Sequence, residues 1–157
     1  MNAESPLEIC TRSPEETERL GYALARLLPP GGVVALYGEL ASGKTCLVRG
    51  MASWFADGEP IHSPTFTLVN EYGANDRLYH LDCYRLAGPA EMADLGYEEL
   101  FDGAAVCAIE WAERIRELLP ERRLDVTLEH AGEDLRRLTF TNRGLLEAGW
   151  QDQLRPE

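Results

Sequence analysis

The sequence predicts a single α/β domain over residues 1–157, three layers deep, with a mixed, mostly parallel central sheet that includes antiparallel hairpins. Three observations lead to this expectation. Val33-Val34-Ala35-Leu36-Tyr37 and Ala104-Ala105-Val106-Cys107-Ala108-Ile109 are short continuous apolar runs bounded by chain breakers, the pattern of strands buried on both faces. Segments of helical periodicity flank the first run and supply covering layers. Two pairs of strand-like segments are joined by short turn-rich stretches where a purely parallel sheet would need a crossover helix, so part of the sheet is antiparallel. The core is expected at about 13–140, with a short C-terminal helix or tail over 144–157, and this length leaves little room for a separate substrate domain.

Taken in order, Ser13-Pro14-Glu15-Glu16 opens the first helix. Ser13 is an N-cap, Pro14 fits the first helical position, and Glu16 stands at the capping-box position. Leu20, Leu24, Leu27 and Leu28 recur at helical spacing with Ala23 beside them, until Pro29-Pro30 stops the helix, which should pack on the sheet. Val33 to Tyr37 is the first buried strand. A second helix runs to about Phe55, with Leu47, Val48, Met51, Trp54 and Phe55 available for its buried side, and Asp57-Gly58-Glu59-Pro60 ends it. Residues 63–72 alternate Phe66, Leu68 and Asn70 against Thr67, Val69 and Glu71, and residues 77–85 return after Gly73-Ala74-Asn75-Asp76 as the hairpin partner. Short helices are expected over 89–95 and 97–101. The second buried strand delivers Glu110 at its C-terminal end, and a helix follows from about Trp111 to Leu118. Residues 124–129 and 136–141 flank Ala131-Gly132-Glu133-Asp134 as a final hairpin, and 145–154 form a terminal helix. There is no internal repeat and no low-complexity tract.

Between the first strand and its helix lies Gly38-Glu39-Leu40-Ala41-Ser42-Gly43-Lys44-Thr45, which satisfies G-x-x-x-x-G-K-[ST] in the strand-to-helix context of a phosphate-binding loop. Gly38 and Gly43 allow backbone angles that a Cβ would penalise, so successive N–H groups converge on one concave spot. Those amides and the positive end of the following helix, beginning near Cys46, suit phosphate oxygens. Lys44 supplies a point charge for the β and γ phosphates, and the Thr45 hydroxyl suits Mg²⁺. A second anionic element is needed at the carboxyl end of a nearby strand to hold Mg²⁺ and orient water. Glu110 fits that place, against the alternative of an acidic cap ahead of Trp111. His80, Asp82 and Tyr84 share one face of their strand, so Asp82 is either a carboxylate facing the nucleotide or an edge-strand charge.

Composition narrows the function. A formal net charge of −12 argues against a surface built to wrap nucleic acid, which needs clustered Lys and Arg. Cys10, Cys46, Cys83 and Cys107 include no C-x-x-C pair and read as reduced thiols. His62, His80 and His130 are too dispersed for a metal site, and His80 reads as a hydrogen-bonded structural residue. The N-terminus lacks a basic and an apolar region, and no run is long enough to span a membrane, so a cytoplasmic protein is expected.

Four blocks together are more specific than the loop alone: Gly38-Glu39-Leu40-x-x-Gly43-Lys44-Thr45; Ser63-Pro64-Thr65-Phe66-Thr67-Leu68-Val69-Asn70-Glu71-Tyr72; Tyr79-His80-x-Asp82-x-Tyr84-Arg85; and Ile109-Glu110-Trp111. In this order and spacing they closely resemble the TsaE (YjeE) family over roughly residues 13–140. The resemblance implies a small P-loop ATPase of tRNA N6-threonylcarbamoyladenosine (t6A) biosynthesis, with ATP and Mg²⁺ as cofactors and weak turnover alone. It implies TsaD and TsaB proteins as partners, tRNA reached only through that complex, and ATP used to reset the complex between turnovers. By the same resemblance Lys44 is the phosphate lysine, Thr45 a Mg²⁺ ligand, Asp82 the essential aspartate, Glu110 the Walker-B-like glutamate and Trp111 the neighbouring aromatic. Whether Asp82 or Glu110 ligates the metal is left open. Thr65 takes a switch-like position near the γ-phosphate or caps the turn after Pro64, and Arg136 or Arg137 either approaches the nucleotide or forms a solvated charge pair. The chain departs from the family at Ala41, where glycine is usual, and at Cys46, where threonine is usual. A small-molecule kinase and a nucleotide-gated binding module are the alternatives.

Overall fold

The computed structural model describes residues 5–39, 42–56, 69–72, 78–84, 90, 101 and 103–155. Its elements are β1 (Leu7–Thr11), α1 (Pro14–Leu27), β2 (Val33–Tyr37), α2 (Lys44–Ala56), β3 (Val69–Tyr72), β4 (Leu78–Asp82), β5 (Val106–Glu110), a 3₁₀ segment (Ala112–Leu118), β6 (Arg123–His130), β7 (Arg136–Arg143) and α3 (Trp150–Leu154). Seven strands form one sheet in the order β1-β7-β6-β2-β5-β4-β3. The four central strands β6, β2, β5 and β4 run parallel to one another, whereas β1 on β7, β7 on β6 and β3 on β4 are antiparallel. The mixed sheet and both hairpins therefore stand as expected.

Two apolar clusters lie on opposite faces of the sheet. Val34 and Leu36 of β2, Val106 and Ala108 of β5, and Leu124, Val126 and Leu128 of β6 pack against α1, α2 and α3. Val33, Ala35, Cys107 and Ile109 face the other way, toward Ala112, Ile115 and Leu119. Both central strands are buried on both faces because each parity of their side chains meets a cover.

Helix α1 begins as its residues dictate: the Ser13 hydroxyl accepts from the Glu16 amide at 3.1 Å, with Pro14 inside the first turn. The Glu16 carboxylate reaches one residue beyond the cap and accepts from the Arg12 amide. Although α1 touches the sheet, its main partner is α2, at a crossing where two glycines meet backbone. Gly21 lies on the Leu47 carbonyl and Gly50 on the Glu18 carbonyl.

Four expectations change. Strand β1 is not predicted by the sequence; its alternation of buried Leu7, Ile9 and Thr11 with exposed Glu8 and Cys10 is short, and its partner β7 lies at the other end of the chain. Trp54 is not on the buried side of α2: it is 42% exposed and packs edge-on against Tyr22 at 5.5 Å between ring centroids. The segment after Glu110 is a 3₁₀ turn kinked at Ile115, not an α-helix. The terminal helix covers only Trp150–Leu154, because Asn142 ties the chain ahead of it: its side-chain oxygen accepts from the Leu145 and Leu146 amides, both at 2.9 Å. Apart from residues 90 and 101, which are helical, the helices expected over 89–95 and 97–101, and most of the strand expected over 63–72, lie outside the described residues. Among the described residues no helix is long and apolar enough to cross a membrane.

Candidate functional site

The carboxyl ends of β2, β4 and β5 converge on the start of α2, as parallel strands in a doubly wound sheet require. Gly38 and Gly43 take φ values of 149° and 107°, in the half of conformational space that glycine opens. Ser42 closes the turn through its amide to the Glu39 carbonyl at 3.2 Å, and the Leu47 amide donates to Gly43 at 3.0 Å as α2 begins. The Ser42 hydroxyl is buried with no hydrogen-bond partner among the described residues, and Ser42 belongs to the wall of the cleft described below.

Lys44 is only 4% exposed. Its ammonium donates to the Gly38 carbonyl oxygen and lies 3.5 Å from the centroid of the Trp111 ring. Burial lowers its pKa from the ordinary lysine value; the negative charges of Glu110, Glu113 and Asp82 oppose that shift. A cation held by one carbonyl and a ring face is one that a phosphate would stabilise further.

The parallel register pairs Asp82 of β4 with Glu110 of β5, which sets the two carboxylates side by side at the strand ends. Glu110 is 4% exposed and held at both oxygens: Oε2 is 2.6 Å from His80 Nε2, and Oε1 accepts from the Thr45 hydroxyl at 3.4 Å. Asp82 is more open; its Oδ1 accepts from the Tyr84 amide at 3.0 Å. All of these groups line or back one cleft of about 270 Å³, whose wall includes Ser42, Gly43, Lys44, Thr45, Cys46, Asp82, Glu110, Trp111 and Arg136. Asp82 thus faces the loop and is no edge charge, since β3 lies outside β4.

Among the described residues no group of three or more His, Cys, Asp or Glu stands together as a metal site. The donors that do converge, the Thr45 hydroxyl and the carboxylates of Glu110 and Asp82, are all oxygen. That set suits Mg²⁺, which in nucleotide sites takes one or two protein ligands and leaves the other positions to phosphate and water.

The profile of the family described as TsaE, threonylcarbamoyl adenosine biosynthesis protein, matches residues 11–138. The chain belongs to the TsaE family. Among its relatives, the TsaE protein of Bacillus subtilis is 42% identical over 137 residues, covering 85% of this chain and 84% of that protein. The TsaE protein of Treponema pallidum is 43% identical over 129 residues, covering 82% of this chain and 96% of its own length. Both carry the name tRNA threonylcarbamoyladenosine biosynthesis protein TsaE. Among solved structures, that of Bacillus subtilis YdiB superposes with a TM-score of 0.75 at 36% identity, covering 92% of this chain and 90% of that one.

Of the residues that the TsaE resemblance singles out, Gly43, Lys44, Thr45, Asp82, Glu110 and Trp111 meet in the cleft, with Gly38 behind Lys44. Glu39 is exposed and does not line the cleft. Leu40, Ala41 and Thr65 lie outside the described residues. Arg136 resolves differently from Arg137. Arg137 forms ion pairs with Glu8 at 3.3 Å and Glu129 at 3.6 Å. Arg136 instead wraps the hairpin turn, donating to the Leu135 and Glu133 carbonyls at 2.9 and 3.1 Å, while its methylene groups lie against Gly43. Tyr84, Pro14, Thr17 and Asp134 complete the wall. Tyr84 was legible as a same-face neighbour of Asp82, whereas nothing local marks Pro14 or Thr17 as site residues.

Proposed function

We propose that this chain is the ATP-binding and ATP-hydrolysing component of the machinery that installs threonylcarbamoyl on A37 of tRNA, acting as a nucleotide-driven switch on the complex of TsaD and TsaB. The observation that carries the reading is the meeting of the phosphate-loop Lys44 and Thr45 with two carboxylates from neighbouring strand ends in one cleft. The family name supplies the pathway, and the formal charge of −12 favours reaching tRNA through partners.

The loop amides, the Ser42 hydroxyl and the start of α2 would bind the phosphates. Lys44 would exchange the Gly38 carbonyl and the Trp111 ring for the β and γ phosphates, so nucleotide binding releases Trp111 as it recruits the ammonium. Thr45 and Glu110, with Asp82 beside them, would hold Mg²⁺, which when bound neutralises charge on the transferred phosphoryl group. In this reading the more open Asp82 would orient the attacking water, since Glu110 is held deeper at both oxygens. Binding at this mouth distinguishes ATP from ADP, which is what a switch for a partner complex needs.

The test is ADP release by the purified protein with Mg²⁺ and ATP, alone and with TsaD and TsaB, using Lys44→Ala and Asp82→Ala as controls. Slow turnover that rises with the partners and disappears in both variants is expected. Turnover indifferent to the partners, or one requiring a hydroxyl acceptor, would replace this reading with a kinase.

A further inference from the structure

His80 sits beneath the cleft on β4, two residues before Asp82 and on the same strand face. It is 1% exposed, and its Nε2 lies 2.6 Å from Glu110 Oε2. Its Nδ1 is also buried and has no hydrogen-bond partner among the described residues. These facts favour one direction for the bond. An N–H at Nδ1 would be a buried donor left unmade, whereas a bare lone pair is better tolerated; an ionised carboxylate can only accept. The tautomer that leaves no buried donor unmade has its hydrogen on Nε2, donated to the Glu110 carboxylate.

From this geometry we propose that His80 is the positioning residue of the site: by holding Oε2 of Glu110 it turns Oε1 toward Thr45 and the phosphate loop. Glutamate has three side-chain torsions, and among the described residues the only other hydrogen bond on this carboxylate is the long one of 3.4 Å from the Thr45 hydroxyl. Without the imidazole the buried carboxylate keeps, among the described residues, a single long hydrogen bond, and a buried charge so held moves to find another. Substrate binding at Lys44 does not pass through His80, so its role is confined to how Glu110 is presented. The inference rests on the ATPase reading for its kinetic consequence, while its geometric content stands apart from it.

The discriminating variants are His80→Leu, which fills the volume without a donor, and His80→Gln, whose amide places an N–H at a reach similar to Nε2. ATP affinity is measured by calorimetry with and without Mg²⁺, turnover is measured with TsaD and TsaB, and a nucleotide-free crystal structure is solved for each variant that melts cooperatively. His80→Leu should keep its Mg²⁺-free affinity within twofold, lose at least tenfold of the gain in affinity that Mg²⁺ confers, and lose at least tenfold in kcat with KM changed less than threefold. His80→Gln should recover most of both, and adding His80→Leu to Glu110→Gln should cost nothing further. In the crystal, Glu110 should leave Thr45 in the Leu variant and remain in the Gln variant. A Leu variant in which Glu110 stays on Thr45 and the Mg²⁺ gain is intact would reduce His80 to packing. A Gln variant as impaired as Leu would overturn the role of the N–H. If the wild-type protein shows no ATP turnover, the ATPase reading fails, and the position of Glu110 in the two crystals still decides the role of His80.

Discussion

Trp111 is the one non-glycine residue among those described with a positive φ, at 58°. A side chain there costs about 1–2 kcal/mol against the ordinary right-handed conformation, so the site holds strain where β5 turns away. The ring gains in return a place over the Lys44 ammonium and against Tyr84 at 4.9 Å. Two outcomes follow. Trp111→Gly should be more stable than Trp111→Ala by about 1 kcal/mol in urea unfolding, because only glycine adopts that φ freely; equal stabilities would show that the turn relaxes. In the wild type, Trp111 fluorescence should change on ATP binding as Lys44 moves to phosphate, and the change should be absent in Lys44→Ala. At this scale the sequence was legible where a residue type has one job. Lys44, Thr45 and Glu110 were marked by motif and by position at a strand end. The contact of Lys44 with the Trp111 ring was not, because it depends on a left-handed turn that no residue between Glu110 and Ala112 announces.

Helices α1 and α2 approach so closely that Gly21 and Gly50 are in contact with the facing backbone. A Cβ at Gly50 would overlap the Glu18 carbonyl, and one at Gly21 the Leu47 carbonyl, neither of which can swing aside as a side chain would. Gly50→Ala and Gly21→Ala should each cost about 3 kcal/mol of stability, despite the higher helix propensity of alanine. A stabilised Gly50→Ala protein in thermal melting would mean that the crossing is looser than this. Because α2 carries Lys44 and Thr45 at its first turn, the same variants should weaken nucleotide binding. Element types were readable from capping and periodicity: Ser13-Pro14 for α1, and the breaker-bounded apolar runs for β2 and β5. What escaped was set by distant partners. Strand β1 exists through pairing with β7, and the 3₁₀ segment 112–118 opens on the left-handed Trp111.

Across the whole molecule, the order of strands could not be read from the sequence, since adjacency depends on which apolar faces find each other. The outcome puts β2 at the middle of the sheet, with the cleft at its carboxyl end. On the face of the sheet away from α1 and α2, Cys83 and Cys107 are buried, and desolvation pushes both thiols up to about 12 from an ordinary 9.0. The unfolded chain loses these protons first, so between pH 9 and about 12 it binds fewer protons than the native state, and stability falls as pH rises. The slope should approach about 1.4 kcal/mol per pH unit for each thiol. Tyr37, raised from 10.0 chiefly by burial with Asp125 adding to it, steepens the fall, and Lys44, lowered, opposes it below pH 10.5. Urea unfolding at pH 8, 9 and 10 under reducing conditions should show the decline, and Cys107→Ala should flatten it; an unchanged slope in that variant would remove the thiol as its source.

These two thiols and the two other cysteines form a built-in set of clocks. Cys10 is exposed, Cys46 lies partly covered in the wall of the cleft, and Cys83 and Cys107 lie in the core. A thiol-reactive dye should therefore label Cys10 at once, label Cys46 at a rate that bound nucleotide slows, and reach the other two only when the sheet opens. One modification time course thus separates occupancy of the cleft from breathing of the layer beneath it.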